Sequence, residues 1–204
     1  MGSKSKYFEK LDLVRLVSCI LVFLYHLNII KGGFFAVCTF FVLSGYLSSI
    51  SLFKKDKVSL KDYYYKKFVH LYIPLLIVTL LSLAVIYFIK DIIWITLKPE
   101  TISVLGGYNN FWQIGANLDY FARHADSPFM HFWYIAILLQ FDLIYPFIFM
   151  LFKYIGKKIN KHFSVILLSI ITIGLIVFHF YMSVHESTMF VYYNTFTRIY
   201  SLFI

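Results

Sequence analysis

Arg15 and His26 lie in the first long apolar stretch of the chain, with ten residues between them. A guanidinium meets phosphate or carboxylate through a planar fork of donors. An imidazole titrates near neutrality and serves as general base or nucleophile. At ~100° per residue the two side chains are separated by about three helical turns plus 20°, roughly 16 Å along the axis. They therefore leave a helix from nearly the same face, about half a hydrocarbon core apart. Ionisable groups inside a membrane span are costly and mark functional sites by default. The spacing also admits a plainer reading, in which Arg15 snorkels to the headgroups and His26 caps the other end. Spacing alone leaves both open.

The elements that would position this pair follow from composition. The 204 residues are 60% apolar and 21% aromatic, and only 14% are charged, against about 25% charged in soluble domains. The apolar residues come in runs long enough to cross a bilayer, so an all-α, polytopic transmembrane helix bundle is expected. The net charge of +9 does not point to nucleic acid, because the lysines gather at span ends. Cys19 and Cys38 both fall in apolar runs and read as inert thiols with no disulfide framework. No small-residue cleavage site follows the first run, which therefore reads as an uncleaved anchor.

Six spans are expected. The first runs from about Leu11 to Ile30 and turns at Gly32-Gly33. The second runs from about Phe35 to Phe53. A loop follows with Lys54, Lys55, Lys57, Lys61, Lys66 and Lys67 against Asp56 and Asp62, ending in an interfacial helix over 60–71. The third span follows Pro74, from about Leu75 to Ile89. Residues 90–130 balance Lys90, Lys98 and Arg123 against Asp91, Glu100, Asp119 and Asp126, and segment 106–112 reads as folded and partly re-entrant. The fourth span covers about 132–152 and the fifth about 163–182, separated by Lys153, Lys157, Lys158 and Lys161. A sixth begins near Met189 and is incomplete at Ile204. Basic and non-basic loops alternate, which predicts a cytoplasmic N-terminus in a multi-pass cell-membrane protein. No soluble domain is expected within residues 1–204.

Several blocks now resemble one family, the integral-membrane acyltransferase family 3, which O-acetylates peptidoglycan, lipopolysaccharide and other surface polysaccharides. Arg15 and His26 match its Arg-x10-His signature. Residues 32–47, from Gly32-Gly33-Phe34 through Phe40-Phe41-Val42-Leu43-Ser44-Gly45-Tyr46-Leu47, are similar to its second-helix block. Lys66-Lys67 to Tyr72-Ile73-Pro74 resembles its basic block. His131-Phe132-Trp133-Tyr134, Gln140-Phe141 and Tyr145-Pro146 resemble its fourth-helix pattern. Tyr193-Asn194-Thr195-Phe196-Thr197-Arg198 is similar to a Tyr-Gly-Thr-Asp-Thr-Arg block of the peptidoglycan branch. The chain departs from the family at His70, where Arg is usual, at Leu138-Leu139, where the peptidoglycan branch has two Glu, and at Cys38 or Thr39, where that branch often has Asp. The family module has about ten helices, so residues 1–204 read as its N-terminal part.

The resemblance implies a transferase that takes an acyl group, most simply acetyl, from cytoplasmic acyl-CoA to a hydroxyl of an extracytoplasmic cell-surface glycan. Acetyl-CoA is then a donor substrate, and no bound cofactor or metal is expected. His26 is the base or acyl carrier and Arg15 the binder of acyl-CoA phosphates. Lys66, Lys67 and His70 extend the basic mouth, or the lysines are ordinary inside charge. Trp133 and Tyr134 stack on substrate, or form an aromatic belt. Arg198, inside a span, binds an anion or pairs across the bundle. His131 reads as a loop-end polar group ahead of a second catalytic imidazole, and Ser44-Gly45 as a close helix contact ahead of a nucleophile. The other class of function is a non-catalytic, transporter-like polysaccharide export module, or an inactive truncated family member. A base and a phosphate binder on one helix face separate the two, since export needs no such pair.

Overall fold

The computed structural model describes residues 2–53, 59–89, 94–117 and 128–203. Of the loop charges, Lys54, Lys55, Asp56, Lys57, Lys90, Asp91, Asp119, Arg123 and Asp126 lie outside the described residues. The chain divides into two compact units, residues 1–51 with 201–204, and residues 52–200. Among the described residues every regular element is helical, and four helices are long and apolar enough to cross a membrane: Gly33–Leu52, Leu60–Phe88, Met130–Lys158 and Lys161–His185. The expected all-α membrane bundle is what these residues form.

The first unit is a helical hairpin. Helix α1 is Gly2–His26, a 3-10 turn covers Gly33–Phe35 and α2 is Ala36–Phe53. Helix α1 stops at His26 rather than Ile30 because Asn28 takes a left-handed conformation, φ 58°. Counted from Leu11, its apolar part is shorter than the ~20 residues of a typical crossing. The turn needs both glycines. Gly32 sits at φ 81°, and a Cβ on Gly33 would meet the Leu21 carbonyl oxygen and Tyr25 Cβ at 2.5 and 2.6 Å. Gly45 plays the packing role expected of it, since a Cβ there would run into the Leu202 carbonyl.

The second unit is built on α7, Trp133–Lys158. Its buried residues include Trp133, Ile137, Phe141, Tyr145 and Phe149, a four-residue repeat that marks one face of a helix. Against it lie α3 (Leu60–Lys67), α4 (Ile73–Ile89), α5 (Trp94–Leu105), α6 (Asn109–Gly115) and α8 (Lys161–His185). Leu75, Ile86, Leu97, Val104 and Phe129 form a core cluster here, with Tyr72, Ile135 and Leu139 packed on it.

Two further expectations change. The interfacial helix and third span are one helical run, joined by a π-helical turn at Phe68–Tyr72 that closes with the Ile73 N–H donating to the Phe68 carbonyl. Pro74 has no N–H and its ring crowds the carbonyl four residues back; a wider turn relieves that clash without ending the helix. The sixth span is not continuous over the described residues. It breaks into α9 (Thr188–Tyr193), α10 (Thr195–Arg198) and a 3-10 turn at Ile199–Leu202. Asn194 is extended, and its side chain accepts from the Phe196 N–H to start α10 afresh. The segment 106–112 is folded as expected, spanning the Gly106-Gly107 turn and the start of α6.

Candidate functional site

In the first unit α1 runs unbroken through Arg15 and His26, so the helical arithmetic holds. Ser18 is buried and Leu11, Val22 and Tyr25 are half-covered, while Leu13, Leu16, Val17, Ile20 and Phe23 stand exposed around the other side. Arg15 and His26 border that covered stripe on the same side, about 60° and 80° round from Ser18 by the 100° step. Both are exposed. Arg15 Nη1 donates to Asp12 Oδ1 at 2.8 Å, one turn earlier. His26 closes the helix with its ring edge-on to Tyr25 at 5.4 Å, and Tyr25 in turn meets Phe34 beyond the turn.

In the second unit Lys67 does not stand alone. Its Nζ is 2.8 Å from Asp142 Oδ1, the same oxygen that accepts from the Tyr63 hydroxyl at 2.9 Å. Asp142 is buried within α7, and a buried carboxylate requires such partners. Tyr64 adds a bond to the Leu143 carbonyl at 2.7 Å. The chain thus pins α3 to the middle of α7 with a lysine that the sequence left open between phosphate binding and ordinary inside charge. His70 sits exposed in the π-helical turn with Nδ1 2.8 Å from the Lys66 carbonyl. A carbonyl only accepts, so Nδ1 carries the proton and neutral His70 presents Nε2 as acceptor.

Trp133 is 2% exposed, its ring 4.6 Å from Tyr192 and 5.8 Å from Tyr193. Its neighbours are protein. Tyr134 is half-buried beside it, and His131 is exposed in the 3-10 turn before α7. Arg198 ends α10 with its guanidinium 4.6 Å over the Tyr192 ring and Nε donating to the Tyr192 carbonyl at 3.1 Å.

The residues that sequence reading did not assign form a closed ring of hydrogen bonds. Asn110 Nδ2 donates to Thr195 Oγ1 at 2.9 Å, the Thr195 hydroxyl donates to Gln140 Oε1 at 2.5 Å, and Gln140 Nε2 donates to Asn110 Oδ1 at 2.9 Å. The spare amide hydrogens go to the carbonyls of Tyr193 and Gly107. Beside it Gln113 Nε2 bridges Asn109 Oδ1 and the Met130 carbonyl at 2.6 and 2.8 Å. The ring satisfies each of its polar atoms, so its work is to hold α6, α7 and the break before α10 in place. Gln140 and Thr195 stood inside family-like blocks and Asn110 inside the folded 106–112 segment. That signal marked the segments without showing that they meet. Among the described residues no group of three His, Cys, Asp or Glu side chains is arranged to hold a metal ion.

The acyltransferase domain family matches residues 8–204, and the chain belongs to that family. It is similar to the O-acetyltransferase OatA of Staphylococcus aureus strain NCTC 8325 / PS 47, 31% identical over 97% of this chain and 33% of that protein. It is also similar to a putative O-acetyltransferase of S. aureus strain COL, 32% identical over 98% of this chain and 34% of that protein. The chain spans about a third of the length of these relatives. No solved structure matches it. With four apolar helices and this membership, it is a multi-pass membrane protein.

Proposed function

We propose that the chain is part of a membrane O-acyltransferase that moves an acyl group, acetyl first of all, from cytoplasmic acyl-CoA to a hydroxyl of an extracytoplasmic glycan. The observation that carries this reading is the unbroken α1, with Arg15 and His26 on one side of its covered stripe, in a family whose similar members are named O-acetyltransferases. The alternation of lysine-rich loops supports a cytoplasmic N-terminus. Arg15 then faces the donor's phosphates near the inner surface. His26 takes the proton from the acceptor hydroxyl, or carries the acyl group on its ring. The Lys67–Asp142 pair orients α3 rather than binding phosphate directly.

His26→Gln tests the reading. Gln keeps size and hydrogen bonding but takes no proton near neutrality, so glycan acylation in membranes should fall by about 10²–10⁴-fold at unchanged protein level. Acylation near the wild-type rate would remove the base from α1.

One observation favours the plainer reading of Arg15. Its exposed pair with Asp12 is what a snorkelling arginine at a helix surface would make, and an export module would need no more.

A further inference from the structure

We propose that His179 and Arg198 form a second polar subsite, beside α8, that takes a hydroxyl of an anionic saccharide. His179 is an ionisable residue in a helix long and apolar enough to cross a membrane, where a side chain of this kind needs a reason. It lies six residues, about 9 Å, from the end of α8 at His185, the end that the lysine alternation puts outside. The ring is half-buried and its Nδ1 is 2.8 Å from the Thr197 carbonyl. That contact fixes the tautomer. Nδ1 holds the proton, and the neutral ring offers Nε2 as an acceptor for an incoming O–H.

The surroundings suit a sugar. The Tyr200 ring lies 5.1 Å from the His179 ring and the Phe180 ring 5.8 Å, apolar faces of the kind that pack on sugar C–H groups. Arg198 follows directly after the residue that holds His179, and its orientation is set by the Tyr192 ring and carbonyl. A hydroxyl on Nε2 and an anionic oxygen by the guanidinium define the ligand class. The saccharide identity rests on the acyltransferase reading above; the access of a small anion to His179 does not.

The test reads His179 itself. Diethyl pyrocarbonate acylates a neutral imidazole at its unprotonated nitrogen, and peptide mass spectrometry of the detergent-solubilised full chain reports the rate at this one residue. Glucuronate should slow that rate several-fold and glucose much less, with the protection lost in Arg198→Gln. His179→Asn keeps a donor for the Thr197 carbonyl but has no Nε2. It should unfold near the wild-type temperature while the KM for acceptor rises and that for acyl-CoA holds. A His179 closed to the reagent in the folded protein, a rate indifferent to glucuronate, or equal protection by glucose would each overturn the proposal. None of those results bears on His26, and failure of the His26 experiment would leave protection by glucuronate standing.

Discussion

Arg15 is held by Asp12 with side chains 44% and 66% exposed. Exposed pairs are worth about 0–1 kcal/mol, so under the proposed function a phosphate would displace the carboxylate at little cost. Arg15→Lys keeps charge and loses the fork. A hydrogen bond to a charged group contributes about 1.5–3 kcal/mol, so binding of a non-hydrolysable acyl-CoA analogue should weaken by about tenfold or more, and further in Arg15→Ala. Asp12→Asn removes the competitor and should tighten it slightly. Unchanged binding in Arg15→Ala would leave snorkelling as the residue's role. This pair was legible in the sequence because both members share one helix and obey local arithmetic. The partner of Lys67 was not. Asp142 sits in an apolar stretch of a distant span, and nothing local announces that a lysine's charge is spoken for.

At the scale of elements, short polar side chains do the positioning. Thr195→Val removes the donor to Gln140 and the acceptor for Asn110 in one step. Leaving the buried Asn110 amide and the half-buried Gln140 amide each short of a partner costs up to about 1–3 kcal/mol apiece, so thermal unfolding in detergent should begin at a clearly lower temperature. Thr195→Ser keeps the hydroxyl and should stay close to wild type; equal losses in the two would mean that the methyl group, not the hydroxyl, matters. Helices α2, α4, α7 and α8 were readable as apolar runs, since length and composition decide a span. Their joints were not. The π-helical turn depends on where the Pro74 ring falls relative to its own helix, and the break at Asn194 on a side chain that prefers to cap rather than continue.

For the whole molecule, the lysine alternation makes a prediction that the packing helps to aim. Ser103 in the 90–130 segment is fully buried and would mislead as a probe. Ala116 and Lys61 are exposed. With Cys19 and Cys38 replaced by Ser, Ala116→Cys should react with an impermeant maleimide in intact cells, and Lys61→Cys only after permeabilisation. The reverse order would invert the orientation and take the acyl-CoA mouth with it. Family and fold class were legible from the sequence because several motif blocks fall in order. The first span was drawn too long and the sixth as continuous because hydropathy does not register a left-handed asparagine or a capping one.

The ring of Asn110, Gln140 and Thr195 has one more property. Three groups that each give and take one hydrogen bond can circulate in either sense, and side-chain geometry alone does not choose. The carbonyls of Tyr193 and Gly107 choose, because each demands an N–H and so fixes which end of its amide faces it. The loop therefore has a polarity, like a diode. Gln140→Glu exchanges one heavy atom for another of nearly equal size, yet it turns a lone pair toward the Gly107 carbonyl and leaves the circuit no direction in which to close.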